Sequence, residues 1–499
     1  MHLQIEDRRK LSSVNSMIYG QFIEHFHRQI YGGVYDPGHP AADGEGFRTD
    51  VLEAMRKIKV PVLRWPGGCF VSAYHWKDGV GKNRTPMFDK AWRVKEPNTF
   101  GTDEYIRLCR KIGCEPYICT NAGSGTAEEM SDWVEYCNLK EQGRYSYWRK
   151  ENGFEEPHRV KYWSIGNENY GSWEIGAKTA GEWGRLVTES AKMMKRTDPS
   201  IELSAAALTD MDWNMEILKN CGERLSWISL HGYWDFHEGK NELAGYEACM
   251  AYTQGLDRPV RQVKGLLTAL GLEDRIKIAY DEWNLRAWYH PNIMDLYQGL
   301  RPEEYLYPRN ENDVNSQYTM ADAVFTACFL NMCIRNSDAV GMANFSPVVN
   351  TRGMIYAGAE GMVLRSTYHV FDAYVNGMEN VLIDSWETGE GDRFQVMGNR
   401  GPALVDTLDT AATASEDGSR IAVAAVNKHP EESRSFSVSL SCQPREYRLV
   451  TVNGPSKDSF NDLSRTDVTK RESAWQTAQG RELSVSLEPH SVNILQIRM

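Results

Sequence analysis

What this 499-residue chain lacks narrows its class. It holds no run of about 18 apolar residues, the length a membrane-spanning helix needs. Its opening stretch, MHLQIEDRRKLSSVNS, has no apolar segment of the kind a secretory leader carries. Ten cysteines are present without a CxxC pair, and most sit in apolar settings such as TACFLNMCI, which reads as the reduced core thiols of a cytoplasmic protein. The only close histidine pair, His25 and His27, has no third ligand nearby, so no metal is expected. Basic residues are in deficit, 56 against 68 acidic, a net charge of −12. That argues against a nucleic-acid or anionic-membrane partner and fits a neutral ligand. There is no GxGxxG or phosphate loop after the first strand, no nucleophile elbow, and no repeat or low-complexity segment.

What is present is a chain too long for one ordinary core, so one large domain with a smaller one is expected, or three small ones. From about 17 to 345, apolar strand candidates alternate with helical stretches: 18–25, 60–65, 115–121, 160–168, 201–207, 225–233, 276–284 and 339–345. Helix signals lie between them. Thr126 with Glu129 and Thr179 with Glu182 have the spacing of capping boxes, Leu52, Met55 and Ile58 fall on one helical face, and Gly113 follows a helix as a C-terminal stop. Eight such units predict an α/β fold, a (β/α)8 TIM barrel over 16–375, with an open doubly wound sheet as the alternative. After about 375 the short alternating runs predict an antiparallel β-sandwich over 376–499. The polar, aromatic stretch 286–314 reads as a lid or a subunit contact.

Barrel chemistry gathers at the C-terminal ends of the strands. Those ends deliver Glu24 and His25; Arg64 and Trp65, followed by PGGCF; Asn121; Asn167, Glu168 and Asn169; His231, Tyr233 and Trp234; Asp281, Glu282, Trp283 and Asn284; and Asn344. A carboxylate at the end of a buried strand is costly without solvent, hydrogen bonds or chemistry to account for it. Two such residues, Glu168 and Glu282, come from strands on roughly opposite sides of the ring. Each is flanked by Asn and Trp. Facing carboxyls with aromatic walls are the apparatus of glycoside hydrolysis, about 5–5.5 Å apart in retaining enzymes. The alternative is two unrelated loop salt bridges. Fifteen Trp and 24 Tyr suit the C–H faces of sugars, though most are assigned to the core.

The segments YGQFIEHFHRQIYGGVYDP, LRWPGGCFVSAYHWKDGVG, VKYWSIGNENYG, SLHGYW and YDEWN, in this order, resemble the α-L-arabinofuranosidases of glycoside hydrolase family 51. The resemblance covers most of the chain. It implies a retaining, exo-acting arabinofuranosidase acting on arabinoxylan- or arabinan-derived oligosaccharides, with Glu168 as acid/base, Glu282 as nucleophile and no cofactor. It implies that residues 1–15 complete the C-terminal sheet, and that the protein is a homo-oligomer, a hexamer or other. Carried over by position, Asn167 meets the sugar 2-OH, Tyr233 holds the nucleophile, Glu24 accepts from outer hydroxyls, and Arg64 lies beneath the site paired with carboxylates. Trp173 and Trp283 are apolar walls, and Cys69 and His231 join the substrate-binding set. Two positions depart from the family. Cys69 stands where many members have Asn in PGGN, and Pro347 where many have Gln. Both family residues contact the sugar, so a β-D-galactofuranosidase, β-D-xylosidase or endo-β-glucanase stays open as an alternative. From another class, so does a non-catalytic sugar-binding protein.

Overall fold

A computed structural model describes residues 1–235, 243–287, 313–388, 391–399 and 401–499. Eight parallel strands form its first unit: β1 (Gly20–Phe22), β2 (Val62–Trp65), β3 (Glu115–Thr120), β4 (Tyr162–Ile165), β5 (Glu202–Ala205), β6 (Trp227–Asp235), β7 (Lys277–Arg286) and β8 (Val340–Phe345). Hydrogen bonding runs in the order β5-β4-β3-β2-β1-β8-β7-β6. The seam between β5 and β6 is closed by a bridge between Ala206 and Ser229, and by the Ser226 amide donating to the Leu203 carbonyl at 2.9 Å. The doubly wound alternative is therefore overturned: the ring closes. Strands such as Val62–Trp65 and Tyr162–Ile165 are buried at every position, because the ring interior covers one face and helices the other.

Local chemistry sets the helix ends. Helix Thr102–Ile112 stops at Gly113, whose φ of 88° suits glycine. Helix Ala180–Thr197 starts with a full capping box between Thr179 and Glu182. The box expected at Thr126 is only half made: Thr126 caps the Glu129 amide, but the Glu129 carboxylate has turned to His75 at 2.9 Å.

The second unit is a ten-stranded, mainly antiparallel sheet. The N-terminal strand His2–Ser13 is one of its inner strands. It pairs antiparallel with Val381–Thr388 on one side and parallel with Arg434–Ser439 on the other. Strand Arg420–Asn427 explains the unbroken apolar run IAVAAV. Ile421, Val423 and Ala425 enter the core of this unit with Leu3 and Ile5, while Ala422, Ala424 and Val426 join the core shared with the barrel helices. Helix Met320–Arg335 lies under that face and is buried throughout apart from its last residue, as its apolar circumference requires. Arg335 clamps Asp409 of the sheet through two bonds, 2.9 and 3.2 Å.

All ten cysteines are free thiols. Cys442 is not a core residue; it is half-buried, with its sulfur 3.2 Å from Arg8. Most of the stretch expected to be a lid or subunit contact, 288–312, lies outside the described residues. Among those described, no helix is long and apolar enough to cross a membrane.

Ile5 is five residues from the start of the chain yet fully buried. Ile5→Ala is expected to cost about 2–5 kcal/mol, as an internal core truncation does, and not the near-zero cost of a frayed end. Denaturant unfolding monitored by circular dichroism checks this.

Candidate active site

The strand ends converge on one mouth, and the β4 turn delivers its carboxyl under backbone constraint. Gly166 has φ of 68°, and Glu168 itself sits at φ 44°, the left-handed region that side-chain-bearing residues seldom occupy. Strain of this kind concentrates at working sites. One Glu168 oxygen meets His231 Nδ1 at 2.8 Å, and the other accepts from Trp173 Nε1 at 2.8 Å. Trp173 is 59% exposed, placing an aromatic face at the edge of a cavity of about 360 Å³ that Glu168, Tyr170, His231 and Tyr233 also line.

Successive side chains on a strand point to opposite faces, yet Asp281 and Glu282 both reach the site. The register of β7 slips against both neighbours between Ala279 and Trp283, with three residues spanning what two span on β6 and β8. This bulge turns two adjacent carboxyls inward. It also sends Trp283 outward. Trp283 is fully buried, stacked on Phe329 with ring centroids 3.8 Å apart and packed against Phe345. The expectation that Trp283 walls the sugar pocket is corrected: it packs the barrel to its helices.

Glu282 is held by both oxygens, Oε1 accepting from Tyr233 at 2.7 Å and Oε2 from Arg64 Nη1 at 2.8 Å. Ser346 lies 3.0 Å from the same Tyr233 hydroxyl. Arg64 is fully buried. It donates also to Asn167 Oδ1 at 2.7 Å and lies 3.6 Å from Asp281. Asp281 accepts from Tyr117 and Ser229 at 2.6 and 2.5 Å. Burial favours its neutral form, but Arg64 and His231 outweigh that and bring it down to about 2. His231 bridges three acids, at 2.8 Å from Glu168, 3.3 Å from Asp281 and 3.7 Å from Glu282. Burial opposes charge on the ring, yet Glu282, Asp281 and Glu168 together push it up to about 10. Burial likewise pushes Glu168 up, and the His231 bond and charge, with Trp173 and Arg64, hold it below the usual carboxylate range. The reading of Glu168 and Glu282 as unrelated salt bridges fails, because oxygens of the two lie within 4.8 Å of each other and share His231.

The remaining residues divide by geometry. Glu24 lies against the PGG turn, accepting from the Phe70 amide at 3.1 Å and Trp92 Nε1 at 2.9 Å. A Cβ on Gly67 would stand 2.4 Å from its Cγ, so only glycine fits there. Burial, then the charge of Glu282, pushes Glu24 up to about 8. The Asn167 Nδ2 donor is buried without a hydrogen-bond partner among the described residues. Cys69 is half-buried, with its sulfur within 4.8 Å of Glu168 and Glu174 oxygens. Other strand-end residues are structural. Asn121 caps the amides of Gly123, Ser124 and Gly125, His25 bonds Glu96 and Trp65, and Asn284 bonds the Ser346 and Arg352 carbonyls. Pro347 follows Ser346, whose side chain, not the proline, touches the Tyr233 network. Sequence reasoning did not single out Asp281, Ser346 or Glu174 as site residues. Asp281 was gathered with Glu282 among the residues at the end of the seventh strand, but YDEWN gave no sign of which neighbours of Glu282 turn inward.

Two family models match the chain: an α-L-arabinofuranosidase 1 domain over residues 54–249 and an α-L-arabinofuranosidase C-terminal domain over 281–491. The chain is 32% identical to a probable α-L-arabinofuranosidase C of Aspergillus niger, over 100% of this chain and 97% of the relative. It is 33% identical to an intracellular exo-α-(1→5)-L-arabinofuranosidase of Halalkalibacterium halodurans, over 96% and 92%. Among solved structures, the arabinose complex of the α-L-arabinofuranosidase from Thermotoga maritima superposes with a TM-score of 0.85, at 33% identity and full coverage of both chains. The thermostable family 51 α-L-arabinofuranosidase of Thermotoga petrophila gives 0.86, again at 33% identity and full coverage of both.

The charge on His231 is tied to the folded site. Its folded pKa of about 10 lies above the ordinary 6.5, so its stabilising contribution is complete below pH 6.5 and is lost as pH rises through about 10. Thermal melts of the parent and His231→Gln should therefore differ most below pH 6.5, with the gap narrowing toward pH 10. A gap that widened with pH would contradict the charged assignment.

Proposed function

The chain belongs to the glycoside hydrolase family 51 α-L-arabinofuranosidases, and from this premise we propose that it works as a retaining, exo-acting enzyme on arabinoxylan- or arabinan-derived oligosaccharides. The observation carrying the proposal is the placement of Glu168 and Glu282, with oxygens within 4.8 Å of each other. Oxygens that close favour the separation of about 5–5.5 Å found in retaining enzymes over the roughly 6.5–9.5 Å that leaves room for an inverting water.

In this scheme the proton on the His231–Glu168 bond moves to Glu168, which protonates the leaving oxygen while Glu282 attacks the anomeric carbon. The glycosidic bond breaks and a glycosyl ester forms on Glu282. Water then gives its proton to Glu168 and attacks the same carbon, releasing the sugar and restoring Glu282. Arg64 and Tyr233 hold Glu282 in line. The unpartnered Asn167 Nδ2 faces the sugar 2-OH, Glu24 accepts from outer hydroxyls, Cys69 and His231 border the sugar, and Trp173 offers the apolar edge. These side chains and the attacking water supply every proton and electron pair, so the scheme calls on no cofactor.

The scheme assigns residues 16–375 to the catalytic unit and 1–15 with 376–499 to the β-unit. It places the enzyme inside the cell, on short oligosaccharides, a setting that fits the intracellular exo-acting relative. It also includes assembly as a homo-oligomer. Met397 and Leu404 on the outer hairpin are 67% and 57% exposed, which suits a contact between copies. Light scattering checks the assembly.

Glu282→Ala should slow release of p-nitrophenol from its α-L-arabinofuranoside by about a hundredfold or more, and Glu168→Ala should slow cleavage of the phenyl α-L-arabinofuranoside, whose leaving group needs the donor's proton, by as much. Near-parental rates in both would remove the assignment. The same assay with β-D-galactofuranoside and β-D-xylopyranoside substrates decides the glycone. Preference for either of these would mean that Cys69 and Pro347 have rebuilt the sugar pocket.

A further inference from the structure

The site holds a third carboxyl that the scheme above does not use. Glu174 follows Glu168 in the same loop and is only 4% exposed. One oxygen accepts from Ser72 Oγ at 2.5 Å, and the other is buried without a hydrogen-bond partner among the described residues. Cys69, Glu168 and Glu174 bring one donor atom each within 4.8 Å of the others. No cation pairs with Glu174 among the described residues, since Arg64 and His231 direct their bonds to Asn167, Glu168, Asp281 and Glu282.

We infer that Glu174 is a positioning residue for Glu168, a buried acid whose own charge sets the pH at which the His231–Glu168 pair gives up its shared proton. This deepens the proposed mechanism and rests on Glu168 being the proton donor. The groups facing Glu174 are Cys69 and Ser72 from the short 3-10 helix Cys69–Ala73, Glu168 from its own loop and Glu282 from β7. Burial, then the charge of Glu168, pushes Glu174 up to about 8, against the bond from Ser72 and the nearby Cys69 thiol. Coupling between two acids is mutual. If ionised Glu168 raises Glu174, ionised Glu174 raises the hold of the neighbouring pair on its proton. Near neutrality Glu174 is uncharged and adds no third anion beside Glu168 and Glu282. Above about pH 8 its charge keeps the donor protonated further into alkali.

The test compares pH profiles of kcat/KM for Glu174→Gln and the parent enzyme on phenyl α-L-arabinofuranoside, a poor leaving group that needs the donor's proton. The p-nitrophenyl substrate, which needs that proton far less, is the control. Glutamine keeps the shape and the Ser72 bond but cannot ionise. The expected result is an alkaline limb displaced to lower pH by about one unit on the phenyl substrate, with a smaller displacement on the control. Ser72→Ala removes the donor that favours the charged carboxyl. It should move the limb the same way by less, and it decides the matter if Glu174→Gln does not fold. Superimposed limbs, with Glu168→Ala still slowing the phenyl substrate far more than the control, overturn the role of Glu174 alone. If Glu168→Ala slows both substrates equally, Glu168 is not the donor and this inference falls with it.

Discussion

The buried guanidinium of Arg64 is the contact on which the site depends. Burying an isolated charge is prohibitive, and breaking a buried pair by removing one partner costs more than the pair itself contributes. Arg64 sits on β2 with no exposure and binds Glu282 and Asp281 of β7 and Asn167 beyond β4. One cation on β2 thus ties together side chains from two other strands that are distant from it in sequence. Asp281 can remain charged in the barrel because Arg64 is there, and Arg64 can remain buried because both β7 acids pair with it. His231 repeats the arrangement one layer nearer the mouth, spanning Glu168, Asp281 and Glu282.

The fold supports this network through geometry that is irregular where the chemistry is. Regular alternation on β7 would offer the site one carboxyl, and the bulge offers two. Trp283 then serves as the anchor on the far side, locked between Phe329 and Phe345. Helix Met320–Arg335, which carries Phe329, is itself held by the sheet through Asn331 and Arg335 on Asp409. The second unit thereby backs the strand that carries Glu282.

Much of this was legible in the sequence, and the misses have physical causes. Strands buried on both faces leave continuous apolar runs, so all eight barrel strands could be located, and the polar residues at their ends could be collected without knowing any contact. The outward turn of Trp283 and the inward turn of Asp281 could not, since a one-residue bulge has no composition of its own. Asn121 and His25 show the converse. Polar residues at strand ends also serve to tie loops, and only their partners tell the two uses apart. Glu174 was invisible for a third reason: its neighbours Cys69 and Ser72 lie about a hundred residues away.

The same network gives the proposed cycle its direction. The leading contribution to charge on His231, after burial is overcome, is the carboxylate of Glu282. When Glu282 attacks the sugar its charge is consumed in an ester, and the His231–Glu168 pair has just delivered its proton to the departing oxygen. At that moment the pair has lost both a proton and the anion that most favoured holding one. Its proton affinity falls while the ester exists, so Glu168 stays ionised and available as a base instead of refilling from solvent. Hydrolysis of the ester restores the charge on Glu282, and with it the affinity that readies the pair for the next substrate. The distance of 3.7 Å from His231 to Glu282 matters for this. It is too long to fix the proton in a hydrogen bond, and short enough for one charge to control the other.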